Sequence, residues 1–189
     1  MHAHASDLTI FGGTANVPLA EAVARSLGVR LGRVSVERFP DSEVHVRLEE
    51  TVRGHDVFIV QPTSPPVDEH LMELLVMADA CRRASAGRIT AVVTYFGYGR
   101  ADKRQPGLRE SITGRVVADL MQAVGIERVV TFDMHTPQLE GFFRVPVDSL
   151  SAVSLLADAA RPHLDGSAVV EPLSRRLWRT TSGSPRRLA

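Results

Sequence analysis

The chain has 189 residues, which fits one large domain or one domain plus part of a second. Apolar residues make up 44% of it, ample for a core, and the formal net charge is zero, so no global field draws it to nucleic acid or an anionic membrane. One cysteine, Cys81, excludes an intramolecular disulfide and fits a reducing cytoplasm. No apolar run approaches the ~18–20 residues of a membrane-spanning helix. Met1–Ser6 lacks the basic region and apolar core of a signal peptide. A cytoplasmic protein without membrane or nucleic-acid partners is expected. His2 and His4 read as a frayed polar terminus rather than a metal site.

In chain order, Leu8–Phe11 reads as a short strand closed by Gly12-Gly13. Asn16 is placed to cap the next helix and Pro18 falls in its first turn. Leu19, Val23 and Leu27 recur at helical spacing on one face, with Gly28 as the stop. Val34-Ser35-Val36 is a strand, Pro40-Asp41-Ser42 is turn chemistry, and Val44, Val46 and Leu48 alternate with His45, Arg47 and Glu49. That pattern predicts a projecting hairpin, or flap, rather than a buried parallel strand. Asp56–Val60 is a continuous apolar run of the kind buried parallel strands show.

After the proline-rich stretch at 62–66, Asp68 opens a long helix that turns Leu71, Leu74, Leu75, Ala78 and Cys81 inward. Arg82, Arg83 and Arg88 at its far end read as a solvated terminus complementing the helix dipole. A strand over Ala91–Tyr95 follows, then a helix capped by Ser111 and Thr113 and carrying Val116, Val117, Leu120, Met121 and Val124, then a strand Val129–Phe132. A helix over Ser151–Arg161 and a short strand at Ala168–Val170 come last. Strands alternating with helices at this spacing predict an α/β domain with a doubly wound, mostly parallel sheet and flanking helices.

Two strand ends carry polar groups, and ligands of open parallel sheets bind outside the carboxyl ends of strands. The first, Phe96-Gly97-Tyr98-Gly99, leads into Arg100, Asp102, Lys103, Arg104 and Arg109. Several N–H donors and guanidinium forks suit phosphate oxygens, and a solvated charged loop is the competing reading. The second is Asp133-Met134-His135. In an extended segment the carboxylate and imidazole share one side, which suits a metal or acid–base role, or a hydrogen-bonded structural pair. At the hairpin tip, Asp41 and Glu43 can hold a ribose or an adenine amino group, or simply form a solvated turn. Phe39 beside them can stack on a base or pack.

Long stretches of this text resemble the ribose-phosphate pyrophosphokinases: RFPDSEVHV, ETVRGHDVFIVQP, LMELLVMADACRRASAGRITAVVTYFGYGR, TFDMHTPQLEGFF and PVDSL, between Leu8 and Val170. The resemblance implies a phosphoribosyltransferase-like fold and transfer of the pyrophosphoryl group of ATP to C1 of ribose 5-phosphate, assisted by Mg²⁺. It implies that Phe39, Asp41, Ser42 and Glu43 lie on the adenine side of ATP, on a flap reaching a neighbouring subunit of a homo-oligomer. Arg100 and Ala101 would meet the ATP, and His135 and Asp133 the metal. Two residues depart from the family's habit: Ser42 stands where glycine is usual, and Ala101 where an ATP-contacting glutamine is usual.

The resemblance lapses after Val170, where the family continues with a Ser-Pro-Asp segment, a catalytic loop and a ribose-phosphate loop. The expected organisation is a pyrophosphokinase N-terminal domain over 1–148, a stub of a second domain over 149–171, and a divergent, disordered tail over 172–189 that reads as an out-of-frame segment. No catalytic residue is assigned. The expected activity is impaired in this chain alone, and a non-catalytic nucleotide-binding or oligomer-forming subunit is the alternative.

Overall fold

A computed structural model describes residues 8–163. His2, His4, the strand expected at 168–170 and the tail expected from 172 lie outside the described residues. The chain divides into two compact units, one ending at Leu150 and the other beginning at Ser151.

The first unit is built on five parallel strands: β1 (Leu8–Gly12), β4 (Asp56–Val60), β5 (Arg88–Val93), β6 (Arg128–Phe132) and β7 (Val147–Leu150), side by side in that order. The antiparallel hairpin of β2 (Val34–Arg38) and β3 (Val44–Leu48) stands apart from this sheet, with Val36 opposite Val46. Period-two alternation sorts the strand residues to two faces. Ile10 and Val60 pack with Ala20 and Ala24 of α1 (Val17–Ser26) on one side. Phe11, Val57, Ile59, Ala91, Val93 and Val129 pack on the other, with α2 (Val67–Arg83) and α3 (Thr113–Ala123). The α/β architecture with helices on both faces is thus the one expected.

Inside it, several local expectations are corrected. Helix α1 buries Ala20 and Ala24 fully; Leu19 and Val23 pack half-buried beside them, and Leu27 is 59% exposed. Small residues let the helix lie close to the sheet, so close that a Cβ on Gly12 would stand 2.6 Å from that of Ala20. Asn16 does cap α1, its Oδ1 accepting from the Leu19 N–H at 3.1 Å. Strand β5 ends at Val93, two residues early, because the Tyr95 carbonyl accepts instead from the N–H and hydroxyl of Thr63, both at 2.9 Å.

Helix α3 is not capped by Ser111 or Thr113, whose hydroxyls bond each other at 2.8 Å. Its first-turn Gly114 N–H donates to the Ala101 carbonyl at 3.0 Å, so the basic loop itself supplies a cap. Helix α2 buries Leu71, Leu74, Leu75, Ala78 and Cys81 as expected, and burial pushes the Cys81 thiol up to about 12. A thiol so protonated is core, not a nucleophile.

The hairpin rests on α2. Val46 is buried, Val44 and Leu48 pack beside it, and Arg38 pairs with Glu69 of α2 at 3.0 Å. In the second unit, α4 (Val153–Ala160) exposes Leu155 and Leu156.

Candidate functional site

The loops that leave β5 and β6 enclose a cavity of about 410 Å³, in the range of small-molecule sites. Tyr95, Phe96, Tyr98, Gly99, Arg100 and Ala101 line it from the first loop, and Phe132, Asp133, Met134 and His135 from the second. Four of the expected residues therefore meet: Arg100 and Ala101 on one side, Asp133 and His135 on the other. The cavity lies at the carboxyl ends of two adjacent strands, where an open parallel sheet presents its loops.

The β5 loop owes its shape to close contacts. A Cβ on Gly97 would stand 2.6 Å from Val67 Cγ1 and 2.9 Å from the Thr63 carbonyl oxygen, so only glycine fits there without a backbone shift. Its N–H donates to Thr63 Oγ1 at 2.7 Å. Tyr98 takes a left-handed conformation, φ 60°, uncommon for a bulky residue and typical of over-determined loops. The Tyr98 hydroxyl donates to Asp68 in the first turn of α2, and that bond holds the phenol above its ordinary value. Ala101 N–H closes the turn onto the Tyr98 carbonyl at 2.9 Å. Arg100 is exposed at the rim, and Lys103, Arg104 and Arg109 are exposed beyond it.

Asp102 breaks the expected pattern. It was placed at the mouth with the cations, yet it is 6% exposed. Its Oδ2 accepts from Thr136 Oγ1 at 2.7 Å and Gln138 Nε2 at 2.6 Å, which satisfies the buried carboxylate.

Asp133 and His135 share the cavity, though not for the expected reason. Strand β6 ends at Phe132, and Asp133 has φ 42°, so the segment is not extended. Both residues are exposed while Met134 between them is buried. Their donor set is one carboxylate and one imidazole. That fits Mg²⁺ held mainly by waters and phosphate oxygens, the usual Mg²⁺ arrangement at phosphate sites, rather than a cage built from protein. Among the described residues no third His, Cys, Asp or Glu joins them.

The hairpin tip is elsewhere on the unit, and Phe39, Asp41, Ser42 and Glu43 are absent from the cavity lining. All four are exposed, Phe39 by 50%. The turn is held locally: Asp41 Oδ1 accepts from the Glu43 N–H at 3.1 Å, Phe39 N–H donates to the Glu43 carbonyl at 2.9 Å, and Phe39 meets the His45 ring at 5.5 Å. Ser42 has φ 75°, the left-handed region that glycine adopts at the least cost.

Sequence reasoning missed Tyr98, Met134 and the Asp102 anchor. Tyr98–Asp68 and Asp102–Gln138 are separated by 30 and 36 residues, and no spacing rule signals such pairs.

The family model for the N-terminal domain of ribose phosphate pyrophosphokinase matches residues 8–125. A Marinomonas sp. protein named ribose-phosphate pyrophosphokinase is 54% identical over 153 residues, 81% of this chain and 49% of that one. A Vibrio parahaemolyticus protein of the same name is 51% identical over 167 residues, 88% of this chain and 53% of that one. The crystal structure of phosphoribosylpyrophosphate synthetase from Mycobacterium smegmatis superposes with a TM-score of 0.79 at 42% identity, covering 83% of this chain and 52% of that one. The chain spans about half the length of these relatives. By sequence and by fold, the chain belongs to the ribose-phosphate pyrophosphokinase family, and residues 8–125 match its N-terminal domain.

Proposed function

We propose that this chain carries the ATP- and Mg²⁺-binding side of a ribose-phosphate diphosphokinase, which forms phosphoribosyl pyrophosphate and AMP for nucleotide biosynthesis in the cytoplasm. The observation that carries the reading is the cavity that joins Arg100 and Ala101 to Asp133 and His135. Arg100 supplies a cationic fork for phosphate oxygens, and the backbone around Gly99 lets a polyphosphate approach closely. Asp133 and His135 face the same space and would hold the metal or its waters. Mg²⁺, when bound, neutralises charge on the phosphates. Transfer of this kind relies on positioning and electrostatics more than on covalent chemistry by the protein. The C1 hydroxyl of ribose 5-phosphate attacks the β-phosphorus, the bond to the α-phosphate oxygen breaks, and AMP leaves. Phe39, Asp41, Ser42 and Glu43 would serve the adenine side of a neighbouring protomer's site, in a homo-oligomer.

A second reading, a non-catalytic nucleotide-binding or oligomer-forming subunit, draws on the same cavity: Asp133 is the one acidic side chain in its lining. One experiment separates the two. Calorimetric titration with Mg²⁺–ATP is paired with an assay of AMP release in the presence of ribose 5-phosphate. Binding with little or no turnover is expected of this chain alone. Turnover near ~1 s⁻¹ or above, ordinary for enzymes, would overturn the expectation of impairment. Absence of Mg²⁺–ATP binding would sink the first reading and the nucleotide-binding form of the second.

A further inference from the structure

We infer that Asp102 is a positioning residue that sets the spacing between the phosphate-facing and metal-facing sides of the cavity; its purpose, though not its geometry, rests on the ATP reading above. Asp102 is the buried member of an otherwise exposed charged loop. It stands two residues after Arg100, and its two partners, Thr136 and Gln138, lie one and three residues after His135. A single carboxylate oxygen thus ties the β5 loop to the β6 loop at the point where each delivers its site residue.

Other contacts make that tie decisive. The loops touch beside the cavity, since a Cβ on Gly99 would come within 3.6 Å of His135 Cβ. Buried Leu139 lies beneath them, its methyls 3.4 Å and 3.0 Å from where Cβ atoms on Gly99 and Gly114 would stand. Leu139 resists approach of the loops and Asp102 resists their separation. A polyphosphate spanning Arg100 and the Asp133–His135 side needs that spacing fixed, because a displacement of ~1 Å can cost ~100-fold in a positioned reaction. Charge-assisted bonds in a buried setting are the means by which a supporting residue holds such geometry.

The test uses the full chain and two kinds of variant. Asp102→Ala removes the acceptor. Asp102→Asn keeps an oxygen able to accept from both donors. Thr136→Val with Gln138→Ala removes the donors and leaves Asp102 in place. Amide hydrogen exchange across residues 98–103 is expected to accelerate at least ~10-fold in the Thr136→Val/Gln138→Ala variant, with β1 and β4 unchanged, because local opening follows the loss of local anchors. Calorimetry is expected to give a Mg²⁺–ATP Kd at least ~10-fold weaker for Asp102→Ala, returning to within ~3-fold for Asp102→Asn.

Unchanged exchange in the β5 loop would overturn the inference. So would an Asp102→Ala protein that melts lower yet binds Mg²⁺–ATP within ~2-fold of the parent, since that is a stabilising residue without a positioning role. If the parent chain binds no Mg²⁺–ATP, the ATP reading fails and the exchange result alone decides whether Asp102 sets the loop spacing.

Discussion

The cavity wall and the hairpin tip are both expected to meet ATP, and they are built in opposite ways. The wall is assembled from distant segments. Thr63, Asp68, Gly114, Thr136 and Gln138 each bond to some part of the β5 loop, and the result is a half-open cavity. The tip is held by contacts within residues 38–45 and lines no part of the cavity. Tertiary anchoring yields a preorganised surface that can act alone, whereas a local turn yields an exposed reagent that needs a second surface to act on. The same contrast explains why a neighbouring protomer figures in the proposal for the tip and not for the wall.

The comparison can be broken most forcefully at Gly97. Gly97→Val drives side-chain atoms into Val67 and the Thr63 carbonyl, and a loss of about 2–3 kcal/mol is expected in chemical denaturation. A loss below ~0.5 kcal/mol would mean that the loop is far more compliant than its contacts imply.

Next in size, Arg100→Ala is expected to weaken Mg²⁺–ATP binding ~10–100-fold, the worth of a charge-assisted phosphate contact. Titrating at several protein concentrations sharpens the point, because the wall's contribution should not depend on concentration. Asp41→Ala, by contrast, is expected to alter affinity only a few-fold, and only where the protein self-associates. An equal effect of Asp41→Ala on a monomer would erase the distinction between wall and tip. So would ATP binding that survives Asp41→Ala and Arg100→Ala together.

Smaller still, Ser42→Gly relieves a left-handed serine and loosens the unfolded chain in one change. These oppose each other, and a net gain of about 0.5 kcal/mol is expected in melting experiments, with no change in the wall.

The smallest expected effect is acid response in the sheet beneath the wall. Arg128 on β6 donates to Asp148 on β7 at 2.6 Å, and that bond lowers the Asp148 carboxyl below its ordinary 3.8. A carboxylate lowered by folding contributes stability that is present above 3.8 and is lost as pH falls through the depressed folded value. Asp148→Asn should therefore flatten the pH dependence of melting below about pH 4 and leave it unchanged near neutrality. The exposed pair makes the effect slight.

Much of the frame was legible because it depends on local pattern. Apolar runs marked β4 and β6, alternation marked β3, and the apolar spacing of α2 named five of the seven residues it buries, missing Glu73 and Met77. The polar clusters at two strand ends were legible as well, since fold class alone says where loops of a parallel sheet converge. The cap of α3 was not, because a distant carbonyl took the place that Ser111 and Thr113 were expected to fill. Asp102 was misread for a related reason. Among four cations, charge suggests a solvated mouth, while burial was decided by partners 34 and 36 residues away. On α1 the apolar spacing found Leu19 and Val23, which pack half-buried, but not Ala20 and Ala24, because close packing against the sheet favours small residues, a preference set by distance rather than hydrophobicity.

The cap of α3 has one more consequence. Position 101 lines the cavity, and its role in the fold is discharged by its carbonyl, which any amino acid provides. Backbone and side chain at this position therefore answer to separate demands. A substitution at position 101 that keeps the backbone in place keeps the carbonyl that caps α3. The substitution changes what the wall offers a ligand and leaves the wall where it was.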